Sequence, residues 1–135
     1  MSYEVRMISL EKDKPYVKSW WFDRFGMEFS DYLLSAFGST ATYNGSPVAI
    51  IFAYPTIGST IATVGFPVTD PSSHKVVRDS CLNLVYKHAH DKLKTLGYKN
   101  IWTVSGIKAV KERLDSFGYV LGDENINQYW KKLED

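Results

Sequence analysis

The sequence lacks several features that would assign it to a class at once. It has a single cysteine, Cys81, so no disulfide can form within the chain, and a structural zinc site is not expected. No apolar run approaches the roughly 20 residues that a membrane-spanning helix requires. The N-terminal residues alternate charged and apolar side chains and contain no secretory signal core. These absences predict a location in the reducing cytoplasm.

An excess of charge of one sign is also missing. The 16 Lys and Arg residues are balanced by 15 Asp and Glu residues, and the formal net charge is +1. Such a chain has no overall field to attract nucleic acid or anionic lipid. Lysines of the last two helical segments are interspersed with Asp91, Glu112 and Asp115. We therefore expect neither a dedicated nucleic-acid binder nor a membrane binder.

What is present predicts one domain over residues 1–135, because the length and a hydrophobic share of 44% suffice for one core. Residues 3–7 alternate as a half-buried strand. Asp13 is expected to cap a helix with Pro15 in its first turn, ending near Gly26. Phe29, Tyr32, Leu33 and Leu34 suggest a further helical turn or two after a brief break.

From Ser39 the chain is richer in β-branched and aromatic residues. Asn44 and Gly45 suit a hairpin turn, which predicts antiparallel strands at 39–44 and 47–54. The remaining elements predicted by periodicity are a strand at 60–66, a helix from Ser72 or Ser73 to Gly97, a strand at 101–104, a helix at 107–117, and strands at 119–121 and 126–133. The result is an α/β fold, a mixed sheet with helices on both faces.

This order and several residues resemble the GNAT superfamily of N-acetyltransferases. The most specific stretch lies in residues 97–133, which contain a helix ending in Gly118-Tyr119 and a closing segment with Gln128 to Leu133. The resemblance implies a single GNAT-like domain with a strand, two helices, three strands, a helix, a strand, a helix and two strands. It also implies acyl transfer from acetyl-CoA to an amine.

The resemblance implies a donor site after the fourth strand. GNAT members hold the CoA pyrophosphate on a glycine-rich loop at a helix N-terminus, whereas this chain has no glycine between Gly65 and Gly97. In its place stand His74, Lys75 and Arg78, whose charges could contact phosphates or could simply be solvated. The thioester oxygen would bind a backbone N–H near Phe66 to Val68.

The general base and acid of the family are not matched. The position of the family's glutamate holds Ala62, that of its tyrosine holds Leu114, and residues 32–69 contain no charged side chain. Asp70, Ser105 and Tyr54 are candidates for proton transfer, each with an ordinary structural role as the alternative. Further candidates of the same standing are Glu28, Asp31, His74 and Tyr43.

Two features remain open as binding surfaces. The aromatic residues Trp20, Trp21, Phe22, Phe25, Phe29 and Tyr32 could pack in the core or receive a substrate, a protein partner or a second copy of the chain. His88 and His90 are separated by two positions, which on a helix directs them apart and argues against a shared metal. No metal site is predicted.

Two functions follow. The first is an acyl-CoA-dependent N-acyltransferase acting on an amine of a small molecule or a protein, with acetyl-CoA as donor. The alternative is a non-catalytic GNAT-fold binding or structural module, of a kind that occurs among phage-encoded and virion-associated proteins. Binding of acyl-CoA distinguishes them.

Overall fold

The computed structural model describes residues 2–133, which divide into two compact units, one ending at Thr103 and one beginning at Val104. The first unit contains a five-stranded sheet in the order β1-β2-β3-β4-β5, built from Tyr3–Met7, Gly38–Tyr43, Ser46–Pro55, Ile61–Thr69 and Asn100–Trp102. Neighbours from β1 to β4 are antiparallel, and β5 is parallel to β4. The predicted mixed α/β sheet is confirmed.

The predicted hairpin between β2 and β3 is confirmed. Asn44 and Gly45 both have positive φ, 51° and 86°, as the central residues of a type I′ turn require. At the far end of β2, Gly38 has φ +142°, and a Cβ there would lie 2.4 Å from the Ile51 carbonyl oxygen. Only glycine allows the strands to approach this closely.

Two long helices cover opposite faces of the sheet. They are α1, Leu10–Phe25, and α2, Lys75–Thr95, and a three-residue 3-10 helix, Asp31–Leu33, replaces the second helical segment expected at 29–34. Ser39 bonds to His88 of α2, and its neighbour Thr40 bonds to Asp13 of α1. Because successive strand residues point to opposite faces, the helices must lie on opposite sides.

Asp13 is not the helix cap that the sequence predicted. The helix begins three residues earlier, at Leu10 after Ser9, and Pro15 lies inside it. The Asp13 carboxylate is fully buried, receives two 2.7 Å bonds from Arg6, and accepts 2.9 Å bonds from the Ser9 N–H and the Thr40 hydroxyl. A buried charge needs such partners, so Asp13 joins β1, β2 and α1.

The two faces of the sheet are filled differently. On the α1 face the buried core is formed by larger side chains, namely Ile8, Val17, Trp20, Phe29, Ile50, Phe52 and Val68. The opposite face of β3 presents Ala49, Ile51 and Ala53, and α2 buries Cys81, Val85, Tyr86, Ala89 and Leu93. Cys81 is thus a buried core residue, and burial raises the pKa of its thiol.

Several predicted boundaries in the second half are wrong. Helix α2 begins at Lys75 with His74 as its cap, because the His74 Nδ1 accepts a 3.2 Å bond from the Val76 N–H. Ser72 and Ser73 precede this cap and belong to the turn after β4. The strand expected at 101–104 is shorter, Asn100–Trp102.

The second unit contains one helix, α3, Lys108–Ser116, and the two final strands are not formed among residues 104–133. The Tyr119 N–H bonds 3.1 Å back to the Leu114 carbonyl, so residue 119 closes the helix and does not start a strand. Alternation at 126–133 specifies a face but no pairing partner, and a strand needs both. The N-cap of α3 is Ile107, not Ser105. The Ser105 hydroxyl accepts a 3.2 Å hydrogen bond from the Ile107 N–H.

Candidate functional site

The sheet opens between β4 and β5. The two strands pair from Ile61 with Asn100 to Thr63 with Trp102, and the Thr103 hydroxyl then donates a 2.7 Å bond to the Val64 carbonyl. β4 continues to Thr69, whereas β5 ends at Trp102. Residues 65–69, which we call the open edge of β4, therefore have no paired strand on that side within the part of the chain described.

A β-bulge lies within this open edge. Ile50 pairs with Val68 and Phe52 pairs with Gly65, so Phe66 and Pro67 together oppose Ile51. Phe66 has φ +53°, a left-handed conformation that costs an L-residue about 1–2 kcal/mol. A strained residue in a strand that has lost a neighbour is a feature typical of functional sites.

The ladder shows which backbone groups face the open edge. The Asp70 N–H donates a 2.8 Å hydrogen bond to the Val48 carbonyl of β3. Backbone groups two residues apart in a strand point to the same side, so the Val68 N–H also faces β3. The Val64 carbonyl faces β5, and by the same rule the Phe66 N–H faces the β5 side. Pro67 has no N–H. Phe66 is therefore better placed than Val68, whose side chain is in the core, to offer a donor.

Aromatic rings hold Phe66 in place. Its ring centroid lies 6.0 Å from that of Trp21, 5.7 Å from that of Phe29 and 6.3 Å from that of Tyr54. Trp21 in turn lies 4.3 Å from Phe25. This packing stabilises the left-handed residue and places aromatic surface from α1 beside the bulge.

The junction between β4 and α2 (residues 70–74) is organised by a carboxylate. Asp70 accepts bonds from the Ser72 N–H, 2.9 Å, the Ser72 hydroxyl, 2.8 Å, and the Ser73 hydroxyl, 3.1 Å. Burial alone raises the pKa of Asp70, but these bonds and nearby Arg78 outweigh it and hold the pKa below its usual range. Asp70 is thus a charged turn residue at neutral pH.

Solved structures share the fold of this chain. They include a GCN5-related N-acetyltransferase from Ralstonia eutropha, 16% identical, with a TM-score of 0.65 over 95% of this chain and 99% of its own. A predicted acetyltransferase from Clostridium acetobutylicum, solved with acetyl-CoA, is 14% identical, with a TM-score of 0.69 over 95% and 96%. The chain has the GNAT fold.

This chain also matches part of a longer protein whose structure is solved. The N-acetylglutamate synthase from Neisseria gonorrhoeae, solved with coenzyme A and N-acetyl-glutamate, is 14% identical with a TM-score of 0.66, over 93% of this chain and 30% of its own. No family model and no curated protein matches the sequence. At these identities the likeness concerns the fold.

The predicted donor-binding residues lie at one end of this GNAT fold, and each has local contacts. His74 caps α2, and Lys75, on the first turn, forms a 3.1 Å ion pair with Asp79. Arg78 is half-buried on the next turn, close enough to Asp70 to lower its pKa. The structure brings these three residues together with Asp70 near the end of β4.

Sequence reasoning missed Arg24, in the last turn of α1. Its Nη2 donates a 3.1 Å bond to the hydroxyl of Thr69, the last residue of β4. Arg24 forms no ion pair within residues 2–133. Nothing in its sequence position distinguishes it from an ordinary basic residue at a helix end.

The candidates for proton transfer are mostly occupied elsewhere. The Tyr54 hydroxyl donates a 2.5 Å bond to the Leu33 carbonyl, and burial raises the pKa of Tyr54. Glu28 and Asp31 are exposed and ion-paired with Lys18, and a bond from Lys18 lowers the pKa of Asp31. Tyr43, two strands away from β4, packs against Tyr3 with its ring tilted by 48°. Ser105 belongs to the second unit.

The aromatic residues of α1 and its exit divide between core and surface. Trp20 and Phe29 are buried, at 5% and 1% exposure, and Trp21 is half-buried. The side chains that remain exposed are those of Phe22, Phe25 and Tyr32. Trp21 therefore packs partly in the core, whereas Phe25 lies at the surface. Binding of a protein partner or a second copy of the chain at the exposed rings stays a prediction.

Two other possibilities can be set beside this site. No cluster of three potential metal ligands occurs in residues 2–133, and none of the helices there is long and apolar enough to cross a bilayer.

A groove of about 440 Å³, lined by residues 56–60 and 96–98, lies at the start of β4, at the other end of this strand from the bulge. Its lining contains no charged side chain.

Proposed function

We propose that the protein is an acyl-CoA-dependent N-acyltransferase that transfers an acetyl group to an amine of a small molecule or protein. The observation that supports this most is the bulge at Phe66 and Pro67, which lies in the part of β4 that is not paired with β5. An open edge of this kind lets an extended thioester arm lie along β4 and present its carbonyl to a backbone N–H.

In the proposed reaction the neutral amine attacks the thioester carbonyl directly. The C–N bond forms, a tetrahedral oxyanion develops, and the C–S bond then breaks to release the CoA thiolate. The Phe66 N–H would donate to the oxyanion, since Pro67 has no proton and Val68 faces β3. One such donor is worth roughly 10²-fold or more in rate.

Proton transfer would rely on water. The proton that the amine loses passes to solvent, and the departing thiolate takes one back. Residues 32–69 supply no carboxylate, and Tyr54 is bound to Leu33 with a raised pKa, so a relay through Tyr54 is less favoured than solvent. Asp70, with its lowered pKa, is a weak base at neutral pH.

The donor phosphates would bind at the start of α2. Arg78 and Lys75 supply positive charge, and the helix N-terminus adds its dipole. Two features oppose this: Lys75 is paired with Asp79, and Asp70 places a negative charge at the junction. We therefore expect weaker donor binding than a glycine-rich loop would give.

Titration calorimetry with acetyl-CoA and free CoA tests the proposal. The double variant Lys75→Ala/Arg78→Ala should bind acetyl-CoA roughly tenfold or more weakly, because two phosphate contacts are lost. Lys87→Ala is the matched control, since Lys87 pairs with Asp91 four residues on, as Lys75 pairs with Asp79. The control should bind like the wild type.

The alternative is a non-catalytic GNAT-fold module, and the junction itself favours it. The Asp70 carboxylate already takes the Ser72 N–H and two hydroxyls, donors that a phosphate would otherwise use. If neither acetyl-CoA nor CoA binds at millimolar concentration, the enzyme proposal fails. Attention then moves to protein partners of the exposed aromatic residues, while a cytoplasmic location stays a prediction in both cases.

A further inference from the structure

Strand β1 forms one edge of the sheet, and its outer side has no strand partner within residues 2–133. The Ile8 N–H donates to the Gly38 carbonyl, in register with the ladder of β1 and β2, so the even-numbered residues of β1 bond to β2. By alternation, the outward N–H and carbonyl groups belong to Tyr3, Val5 and Met7. A row of such groups is a template for another strand.

β1 lacks three features that commonly keep edge strands from pairing. It contains no proline and no lysine, and its residues pair with β2 without a bulge. At the outer edge, the Arg6 Nη1 donates a 3.1 Å bond to the Met7 carbonyl. A carbonyl has two lone pairs, so Met7 is still able to accept a bond from another strand. The outer side of β1 is therefore open to pairing.

The side chains of β1 divide between the two faces of the sheet. Met7 pairs with Ser39, whose hydroxyl bonds to α2, so the odd-numbered residues lie on the α2 face. They form an apolar row in which Tyr3 and Met7 are 41% and 39% exposed. The Arg6 guanidinium bonds to α1, so Arg6 and Glu4 lie on the α1 face. This face of β1 thus carries one charge of each sign.

A second copy of β1 could pair antiparallel with the first about a two-fold axis, and the charges select the register. An axis at Glu4 or at Arg6 would place that residue opposite itself, and like charges directly opposite are destabilising. An axis at Val5 places Glu4 opposite Arg6 of the second copy. It also places Tyr3 opposite Met7 of the second copy, and each outward N–H then meets an outward carbonyl. This register alone satisfies both faces and the backbone.

Arg6 can accept such a partner without releasing Asp13. Two of its N–H groups bind the Asp13 carboxylate and one binds the Met7 carbonyl, out of the five that a guanidinium has. The Arg6 side chain is 39% exposed. Glu4 is exposed, accepts a 3.4 Å bond from the Ser2 hydroxyl and forms no ion pair within residues 2–133. Glu4 of one copy therefore finds donors on Arg6 of the other.

We propose that β1 docks against β1 of a second copy of the chain, antiparallel and centred on Val5, so that the two sheets join into one. Charge complementarity on one face and matching apolar rows on the other favour a second copy over an unrelated strand. The inference does not depend on the proposed N-acyltransferase function. Because the joined strands are short, we expect a weak dimer, with a Kd on the order of 10⁻⁵ M.

Sedimentation velocity at protein concentrations below and above this Kd tests the proposal. The mass should rise from the 15.4 kDa of one chain toward twice that value. Glu4→Arg should weaken dimerisation roughly tenfold or more, because it places two positive groups opposite each other at both symmetric positions. Asp23→Arg makes the same charge change at an exposed position near the end of α1 and should dimerise like the wild type.

Two further measurements address the backbone. Val5→Pro removes an outward N–H and leaves the bonds to β2 in place, so it should weaken the dimer while circular dichroism shows the fold retained. In hydrogen exchange followed by NMR, the amides of Tyr3, Val5 and Met7 should exchange more slowly as the protein concentration rises. The amides of Glu4 and Arg6, which bond to β2, should be protected at every concentration.

Three outcomes would overturn the proposal. The first is the mass of a single chain at all concentrations. The second is a dimer that keeps its affinity in both Glu4→Arg and Val5→Pro, or whose outward β1 amides exchange at the same rate at every concentration. The third is a dimer that Phe22→Ser disrupts and the β1 variants do not, because the exposed ring of α1 would then form the contact.

Discussion

Two strand-to-helix junctions of this protein are each organised by an aspartate, and they use it differently. At the junction of β1 and α1, Asp13 lies in the first turn of α1, is fully buried, and is bound by Arg6, the Ser9 N–H and Thr40. Between β4 and α2, Asp70 is only half-buried and is bound by Ser72 and Ser73. The same side chain joins three elements in one case and shapes a surface loop in the other.

The difference lies in what balances the charge. The guanidinium of Arg6 neutralises Asp13 at 2.7 Å, so the pair can be taken out of water. Asp70 accepts hydrogen bonds from neutral hydroxyls, and Arg78 acts on its carboxylate only through charge, without the hydrogen bonds that Arg6 gives Asp13. Its negative charge therefore remains available to act on a ligand. The first junction is structural, and the second sets the electrostatics of the candidate donor site.

The largest effect is expected when Asp13 is changed to Ala. The substitution leaves Arg6, the Ser9 N–H and the Thr40 hydroxyl without their acceptor, so the free energy of unfolding should fall by about 3 kcal/mol. Urea denaturation measures it. Asp23→Ala, an exposed acid on the same helix, should cost less than about 0.5 kcal/mol. Equal losses would mean that burial does not distinguish these acids.

The second largest effect is expected in acid, which should remove the contribution of Asp13 to the free energy of unfolding. Burial alone raises the pKa of Asp13, but bonds from Arg6, Ser9 and Thr40 outweigh it and lower the pKa. A lowered folded-state pKa gives stability that is present above the unfolded value of about 3.9 and is lost as pH falls through the folded value. The stability gap between wild type and Asp13→Ala should therefore be constant from pH 7 to about 5 and narrow below about 4. A gap that widens in acid would show the opposite shift.

The smallest effect is expected at the other junction, with Asp70→Asn. Asparagine keeps an oxygen acceptor for Ser72 and removes the charge, so stability should fall by about 1 kcal/mol or less. Affinity for acetyl-CoA should rise roughly threefold, because a like charge near the phosphates is gone. Calorimetry with Asp91→Asn as control checks this. A weaker affinity in Asp70→Asn would show that the carboxylate organises the donor site instead of opposing it.

Local signals in the sequence predicted much of the fold but little of the site. The Asn44-Gly45 turn is determined by backbone conformation alone, and it was predicted correctly. The strands at 119–121 and 126–133 were not formed, because alternation does not specify a partner edge. Asp13 looks like a cap in sequence, and only its distance to Arg6 reveals an ion pair.

The site depends on contacts between distant segments. Phe66 takes a positive φ because aromatic residues of α1 and its exit pack around it, and its sequence neighbours do not indicate this. Arg24 and Thr69 are 45 positions apart, so their bond could not be read from spacing. The position of His74, Lys75 and Arg78 at a predicted helix start is a local signal, and in the structure these residues lie together at the start of α2.

The most direct test of the proposed donor site is an amide NMR titration of the protein with acetyl-CoA. The account predicts the largest shift changes at the Phe66 and Thr69 amides and in residues 70–78, with little change in the groove residues 56–60 at the other end of β4. Binding with the largest changes in residues 56–60, or no change at Phe66, would contradict it.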